Sequence, residues 1–173
     1  TTTPDETFPA TATTVQARLG MNHGFAFDVQ AVCSGFVYAL ATADSFLVTG
    51  QARAALVIGA ESFSRLLDWE DRGTCVLFGD GAGACVLQGS ENPGGVLASV
   101  LRSDGSGGDL LKVPAGGSAM PTSYETVRGK LHTIHMNGRE VFRFATRVMA
   151  DACRDVVASA GLTMDDIKVI VPH

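Results

Sequence analysis

The chain has 173 residues, of which 46% are hydrophobic and 18% are charged, a composition typical of a globular protein with a sizeable core and not of a disordered chain. Its formal net charge of -5 argues against the basic surface that nucleic-acid-binding proteins carry, and no stretch is long and apolar enough to span a bilayer. We therefore expect neither nucleic acid nor a membrane as a partner.

Helix and strand patterns alternate along the first half of the chain. The spacing of apolar residues predicts a helix over 11–19, a strand over 25–29, a helix over 34–48 ended by Gly50, and a strand buried on both faces over 54–59. Two further apolar runs, 74–78 and 82–87, are joined by Gly79-Asp80-Gly81, which is typical of a hairpin.

The second half continues the alternation, which indicates an α/β protein. The pattern predicts a strand over 95–102, a long loop over 104–130, a helix over 138–160 ended by Gly161, and a final strand over 168–171. The chain carries no initiator methionine and stops directly after this last strand. We therefore expect it to be a piece of a longer protein.

Cys33 is the leading candidate for a catalytic side chain. It lies between the predicted strand over 25–29 and the predicted helix over 34–48. A helix N-terminus carries partial positive charge, so this position favours the thiolate, which is the nucleophilic form of cysteine. A thiol presented in this way suits acyl transfer through a covalent intermediate. The alternative is a structural role as a small apolar side chain.

His173 is the candidate partner of this cysteine. It follows the predicted strand over 168–171, in Val171-Pro172-His173. A neutral imidazole at a strand end can donate a hydrogen bond to a developing enolate or thioester oxygen. The alternative interpretation is a polar loop residue without a catalytic role.

The other cysteines and histidines predict no metal site. The cysteines have no metal-type CxxC spacing, and His132 and His135 are not followed by a third ligand. The three remaining cysteines, each inside an apolar pattern, are predicted to be small buried residues; they are Cys75, Cys85 and Cys153. Such cysteine usage fits a reducing compartment, so a cytoplasmic location is expected.

A polar patch, 68–72, surrounds Trp69, the only tryptophan of the sequence. One interpretation is a solvated loop with an arginine–acid pair. The other is a nucleotide contact, in which Trp69 stacks on a base and Arg72 meets a phosphate.

Several motifs, in this order, resemble the beta-ketoacyl-acyl carrier protein synthase III enzymes, which are condensing enzymes of the thiolase superfamily. The resemblance extends over essentially the whole chain. Its motifs are Phe27-Asp28-Val29 with Cys33-Ser34-Gly35-Phe36, then Asp71-Arg72-Gly73-Thr74, 78–84, 104–111, 136–142 and Val171-Pro172-His173.

The resemblance implies a thiolase-like α/β fold, a five-layered αβαβα sandwich of two similar halves. The chain would form only its central part. Residues 1–90 would end the N-terminal half and carry the nucleophilic cysteine, and residues 91–173 would start the C-terminal half and end at the catalytic histidine. A catalytic asparagine would lie beyond His173. The chain by itself is expected to be inactive and poorly folded, because its sheets would have open edges.

The resemblance also implies a reaction. Cys33 would attack the thioester of acetyl-CoA or another short acyl-CoA, and its backbone N–H would form half of an oxyanion hole. Malonyl-acyl carrier protein would then lose carbon dioxide and attack the acyl-Cys33, while His173 stabilises the enolate-like oxygen. This is the initiating condensation of type II fatty-acid synthesis. Acyl-CoA would be a substrate, and no separate cofactor is expected.

Further roles follow from the same resemblance. Arg72 would contact the adenine and phosphate region of CoA, with help from Trp69. Phe8 would reach across a homodimer interface into the partner's acyl pocket. Three residues would lie near the tunnel for the pantetheine arm; they are Met136, Gly138 and Phe142.

Arg143 and Arg147 lie on the helix that, by this resemblance, would dock the acidic carrier protein. The alternative is a solvated helix face on which these arginines pair with Glu140 or Asp151.

Two other functions stay open. One is a related superfamily acyltransferase that uses Cys33, either in secondary metabolism or with a branched or longer acyl-CoA. The other is a non-catalytic acyl-binding homologue that keeps the fold without turnover.

Overall fold

The computed structural model of the protein describes residues 1–92 and 94–173. The contacts divide the chain into two units. Unit 1 consists of Thr1–Glu61, Gly81–Leu97 and Pro172–His173, and unit 2 consists of Ser62–Asp80 and Ala98–Val171. The expected division of the whole protein near residue 90 stays a prediction.

Unit 1 is built from two helices and a two-stranded sheet. Helix α1 is Thr11–Arg18, helix α2 is Gly35–Val48, strand β1 is Ala54–Ser62 and strand β2 is Asp80–Gln88. The last residue of β1, Ser62, and the first residue of β2, Asp80, are assigned to unit 2. Strands β1 and β2 are hydrogen-bonded neighbours. These bounds confirm both predicted helices and the strand predictions over 54–59 and 82–87.

Helix α2 ends where its sequence predicts. Gly50 has a φ of 71°, and the N–H of Gln51 donates to the carbonyl of Phe46 at 2.9 Å. This is the left-handed glycine termination that a residue with a Cβ adopts only with strain. This helix termination separates α2 from β1.

The predicted strand over 25–29 is wrong. This segment is irregular, and it packs by side chains instead of pairing in a sheet. Phe25 and Phe27 form an aromatic cluster with Phe46 of α2, with ring centroids 5.0 and 6.2 Å from that of Phe46. Asp28 accepts hydrogen bonds at 2.8 Å from the first N–H groups of α1, whose own N-cap residue is an alanine. The segment leading to Cys33 is therefore held by an aromatic cluster and a capping carboxylate.

Unit 2 contains a small antiparallel sheet and two helices. Strand β3 is Leu111–Lys112, helix α3 is Tyr124–Arg128, strand β4 is His135–Met136 and helix α4 is Gly138–Ser159. Leu111 pairs with Met136 and Lys112 with His135. The length of α4 and the left-handed Gly161 after it, with a φ of 70°, confirm the last predicted helix.

Two predictions in unit 2 are wrong because local hydrogen bonds replace the predicted structure. The segment 74–78 forms turns instead of a strand, and its start is held by the Asp71 carboxylate, which accepts hydrogen bonds from the Gly73 N–H and the Thr74 hydroxyl. The predicted loop over 104–130 contains β3, α3 and the 3-10 helix Gly105–Leu110. Helix α3 starts with a reciprocal capping box between Ser123 and Thr126, a signal that does not depend on apolar periodicity.

Two further predicted strands, over 95–102 and 168–171, are irregular. An apolar run becomes a strand only when a neighbouring backbone completes its hydrogen bonds, and neither run pairs with any residue that the structure describes.

Few side chains are deeply buried. Among the described residues the buried apolar side chains are Ala43, Val57, Leu67, Ala115 and Ile134. Strand β1 is exposed or half-buried except at Val57, so it is not covered on both faces as predicted. The cysteines Cys75, Cys85 and Cys153 are half-buried. No helix in the described ranges is both long and apolar enough to cross a membrane.

The exposed apolar surface predicts that the 173-residue chain, made by itself, does not unfold cooperatively. Val86 and Val171 are 72% and 87% exposed, whereas such residues are normally covered in a stable core. We expect near-UV circular dichroism to change gradually in urea and the chain to bind a hydrophobic dye at neutral pH. A sharp transition with a midpoint above about 2 M urea would contradict this expectation. The full-length protein that contains this chain is the control.

Candidate active site

Cys33 lies on a strained turn at the beginning of α2. It is the middle residue of the 3-10 helix Val32–Ser34, which runs directly into Gly35, the first residue of α2. Val32 has a φ of 47°, a left-handed conformation that is unfavourable for a β-branched residue. Cys33 is exposed. The structure therefore confirms the predicted place of the thiol, accessible and immediately before a helix N-terminus.

The pKa of Cys33 is raised from its ordinary value, contrary to the expectation of a lowered one. Burial of the sulfur among neighbouring atoms is the largest cause, a backbone hydrogen bond opposes it, and the negative charge of Glu61 raises the pKa further. The residue as a whole remains exposed. At neutral pH this cysteine therefore rests as a thiol and needs a proton acceptor before it reacts.

His173 is exposed and belongs to unit 1, the unit that holds Cys33. The residues immediately before Pro172 belong to unit 2. Both predicted catalytic residues therefore belong to the same unit, although 140 positions separate them in the sequence.

Arg72 lies on a turn whose conformation is held by hydrogen bonds between the residues on either side of it. Asp71 accepts hydrogen bonds from the Gly73 N–H at 2.9 Å and from the Thr74 hydroxyl at 2.7 Å, and Thr74 is buried. A Cβ at residue 73 would lie 3.1 Å from the Asp71 carboxylate, so the turn favours glycine there. Arg72 is exposed and forms no ion pair with the residues described. Its guanidinium is therefore available to an anion.

Trp69 lies between two carboxylates that Lys130 binds. The Lys130 ammonium is 2.9 Å from Asp68 and 2.5 Å from Glu70, and Trp69 is 66% exposed. The hydrogen bond from Lys130, followed by that from the Glu70 N–H, lowers the pKa of Asp68 from its ordinary value. The patch 68–72 is therefore an ordered loop with an open indole face and an unpaired Arg72, which contradicts the arginine–acid pair of the first interpretation.

The residues predicted to lie near the pantetheine arm meet where β4 ends and α4 begins. Met136 is half-buried, and its Cε would lie 3.4 Å from a Cβ at Gly138. Phe142 is 71% exposed in the following turn. An open depression of about 500 Å³ is lined by Met136 together with Asp68 and Asp71, the direct neighbours of Trp69 and Arg72. Of the predicted CoA-binding residues, Met136 lines this depression, and Arg72, Trp69, Gly138 and Phe142 do not.

The remaining predicted residues lie elsewhere. Arg143 is exposed and 3.5 Å from Glu140, and Arg147 is exposed without an ionic partner in the described chain. Asp151 pairs with Arg154 instead, at 2.6 Å. The solvated-face alternative is therefore supported for Arg143 and not for Arg147. Phe8 is 80% exposed.

Sequence reasoning missed two charged residues near these sites. Glu61 is the next-to-last residue of β1, and its negative charge adds to the raised pKa of Cys33; Lys130 binds the loop around Trp69. A signal for Glu61 was present, because it is the charged residue that directly follows the apolar run 54–60. Lys130 gave no signal, since it contacts residues 60 and more positions away.

Comparison with known proteins gives consistent matches. A family model described as 3-Oxoacyl-[acyl-carrier-protein (ACP)] synthase III matches residues 27–105, which include Cys33 and Arg72. Curated proteins named beta-ketoacyl-[acyl-carrier-protein] synthase III from Caldanaerobacter subterraneus subsp. tengcongensis and Erythrobacter litoralis are 54% and 59% identical over 100% of this chain and 52% of their own length. The chain thus spans about half the length of the curated relatives it matches.

A solved structure confirms the fold. The crystal structure of 3-oxoacyl-[acyl-carrier-protein] synthase III from Aquifex aeolicus VF5 aligns with a TM-score of 0.86 and 44% identity, over 98% of this chain and 50% of that one. The mixed helix and strand arrangement of the chain is therefore that of part of a thiolase-like condensing enzyme. Together with the sequence matches, this shows that the chain is similar over its whole length to part of the 3-oxoacyl-[acyl-carrier-protein] synthase III proteins.

Proposed function

We propose that a full-length protein containing this chain catalyses the initiating condensation of type II fatty-acid synthesis. Its substrates would be acetyl-CoA, or another short acyl-CoA, and malonyl-acyl carrier protein. The observation that carries the proposal is Cys33, an exposed thiol on a strained turn before α2, inside the region that matches the family model. The enzyme would act in the cytoplasm as a homodimer.

In the first half-reaction the Cys33 sulfur attacks the thioester carbonyl of the acyl-CoA. The bond between that carbonyl carbon and the CoA sulfur breaks, and CoA leaves as a thiol with the proton that Cys33 lost. The Cys33 backbone N–H, near the start of α2, would stabilise the oxyanion that forms.

In the second half-reaction malonyl-acyl carrier protein loses carbon dioxide, and the electron pair left on its α-carbon attacks the acyl-Cys33 carbonyl. The bond to the Cys33 sulfur breaks, which releases the beta-ketoacyl-acyl carrier protein. His173 would donate a hydrogen bond to the thioester oxygen that gains negative charge after decarboxylation. An asparagine outside this chain would be the second donor.

Substrate contacts are proposed from the second unit. Arg72 would bind CoA phosphate, Trp69 would stack on the adenine, and the depression beside Met136 would receive the pantetheine arm. Arg147, free of ionic partners among the described residues, would attract the acidic carrier protein together with Arg143. Phe8, exposed in one protomer, would be covered by the other.

The test is a labelling experiment on the full-length protein. We would incubate it with radiolabelled acetyl-CoA, map the label, and then add malonyl-acyl carrier protein. Label on Cys33 that is discharged to an acetoacetyl product supports the proposed reaction. Label that this acceptor does not discharge favours a related acyltransferase, and no label with acetyl-CoA or with longer or branched acyl-CoAs favours a non-catalytic acyl-binding protein.

Replacing Arg72 with alanine in the full-length protein is expected to raise the KM for acyl-CoA about tenfold or more and to leave kcat nearly unchanged. An interaction between a charged donor and phosphate is lost equally in the ground and transition states. Arg65, outside the proposed site, provides the matched control as Arg65→Ala. An unchanged KM in Arg72→Ala would remove Arg72 from the substrate contacts.

A further inference from the structure

Lys130 occupies a backbone position that normally belongs to glycine. It follows α3 with a φ of 54°. Its N–H donates to the Val127 carbonyl at 3.0 Å, and the Leu131 N–H donates to the Thr126 carbonyl at 2.9 Å. These two hydrogen bonds form a Schellman helix termination, in which the left-handed residue is usually glycine because a Cβ there is strained. Lysine at this position therefore costs stability relative to glycine, unless its side chain contributes something that glycine cannot.

The Lys130 ammonium binds the loop that carries Trp69. It lies 3.0 and 2.9 Å from the two carboxylate oxygens of Asp68 and 2.5 Å from Glu70. Asp68 directly precedes Trp69 and Glu70 directly follows it. Since 21% of the Asp68 side chain is exposed, against 85% of the Glu70 side chain, the Asp68 contact is the better shielded of the two. One ammonium group thus holds the chain on both sides of the indole.

The same loop is anchored at its two ends by other groups. Before it, the Leu66 carbonyl accepts a hydrogen bond from the Ile134 N–H at 2.8 Å. After it, the Asp71 carboxylate holds the following turn. Among the hydrogen bonds and ion pairs of the residues that the structure describes, those of Lys130 join 68–70 to a distant segment. The position of the indole between the two anchors therefore depends on Lys130.

These ion pairs do not explain Lys130 by stability. Its side chain is half-exposed, and exposed ion pairs contribute little to folding because water screens them. They do not clearly offset the strain of a left-handed lysine. Backbone strain that persists beside a candidate site indicates a functional constraint. What the lysine side chain contributes is accordingly the placement of the loop and not the stability of the fold.

We propose that Lys130 is a positioning residue for the nucleotide end of the acyl-CoA substrate. By binding Asp68 and Glu70 it holds the Trp69 indole where the adenine stacks on it, in the same loop as Arg72. The Lys130 ammonium itself is engaged by the two carboxylates and is not offered to a substrate phosphate. The inference rests on the proposed function for the identity of the substrate, but not for the contact between Lys130 and the loop.

The first test is Lys130→Gly in the full-length protein. We expect the KM for acetyl-CoA to rise about fivefold and kcat to stay within about twofold, because a binding contact is weakened and the reacting groups are untouched. The thermal midpoint should stay equal or rise, since glycine removes the strain. Lys130→Asn, which also tolerates the left-handed conformation, should behave alike. Lys130→Arg keeps the cation and should keep the wild-type KM.

The matched control is Arg154→Ala on α4. Arg154 pairs with Asp151 at 2.6 Å, so this change also removes one cation from an exposed ion pair in the same unit. It should leave the KM for acetyl-CoA unchanged. An equal rise in KM in Arg154→Ala would assign the effect to net charge and would overturn the role of Lys130.

A second measurement follows the loop without substrate. The full-length protein is labelled with fluorotryptophan, and Trp69→Phe identifies the fluorine NMR signal of Trp69. In Lys130→Gly this signal should move toward that of free fluorotryptophan, because the indole gains freedom, whereas Lys130→Arg should match the wild type. A wild-type protein that does not accept acetyl-CoA would refute the proposed function, and the Trp69 signal would still decide whether Lys130 holds the loop.

Three results would overturn the proposal. The first is a wild-type KM in both Lys130→Gly and Lys130→Asn, or an unchanged Trp69 signal. The second is a lower kcat with a lower thermal midpoint in both variants, which would identify a structural role. The third comes from the Trp69→Ala background, where Lys130→Gly should raise the KM by less than about twofold, since the indole that it positions is gone. An undiminished effect there would make Lys130 a direct ligand of CoA.

Discussion

Replacing Cys33 with serine in the full-length protein is expected to reduce acetyl transfer from acetyl-CoA to the enzyme by at least about 10³-fold. The change removes only the sulfur. A serine hydroxyl has much the same size, but it ionises far less readily than a thiol and is a much weaker nucleophile at neutral pH. The strained Val32 and the start of α2 remain as they are, so the loss would report on the nucleophile and not on the fold.

The matched control for this substitution is Cys153→Ser, on α4 in the other unit. Cys153 is half-buried, and no role in catalysis is proposed for it. We would measure bound radiolabel after precipitation and compare circular dichroism spectra of the three proteins. Equal labelling of Cys33→Ser and wild type would show that another group accepts the acyl chain, and the mechanism would have to be abandoned.

Replacing His173 with alanine should separate the two half-reactions. A hydrogen-bond donor to an oxygen that gains charge in the transition state is worth roughly 10² to 10³ in rate. We therefore expect formation of the beta-ketoacyl product to fall by about this factor, because the enolate-like oxygen loses its donor. Labelling of Cys33 by acetyl-CoA should persist, since decarboxylation of the malonyl group is not needed for that step.

The control is His23→Ala, which removes an exposed histidine whose ring forms a hydrogen bond with the neighbouring Asn22. Rates of carbon dioxide release from malonyl-acyl carrier protein, measured beside product formation, identify the step that is lost. If His173→Ala abolishes labelling as well, His173 acts as the proton acceptor of the raised-pKa thiol in the first half-reaction. Normal rates in both half-reactions would exclude His173 from the mechanism.

Local sequence signals predicted the helices well. Helices α1, α2 and α4 begin and end within one residue of the predicted bounds, because capping groups and left-handed glycines such as Gly50 and Gly161 act over a few positions. The strands were predicted less well. The runs 25–29 and 95–102 have strand-like composition, but a strand needs a partner from elsewhere in the chain, and composition does not supply one.

The sequence by itself indicated the resemblance to the synthase III enzymes, the place of Cys33 before a helix, and the positions of Arg72 and His173 in motifs of that resemblance. These are properties of short segments, and short segments are what motifs describe. Only the tertiary structure decided the protonation of Cys33 and the order of the loop around Trp69. The first depends mainly on burial of the sulfur, to which the charge of Glu61 adds, and the second depends on Lys130, because the pKa of a group and the shape of a loop are set by neighbours in space.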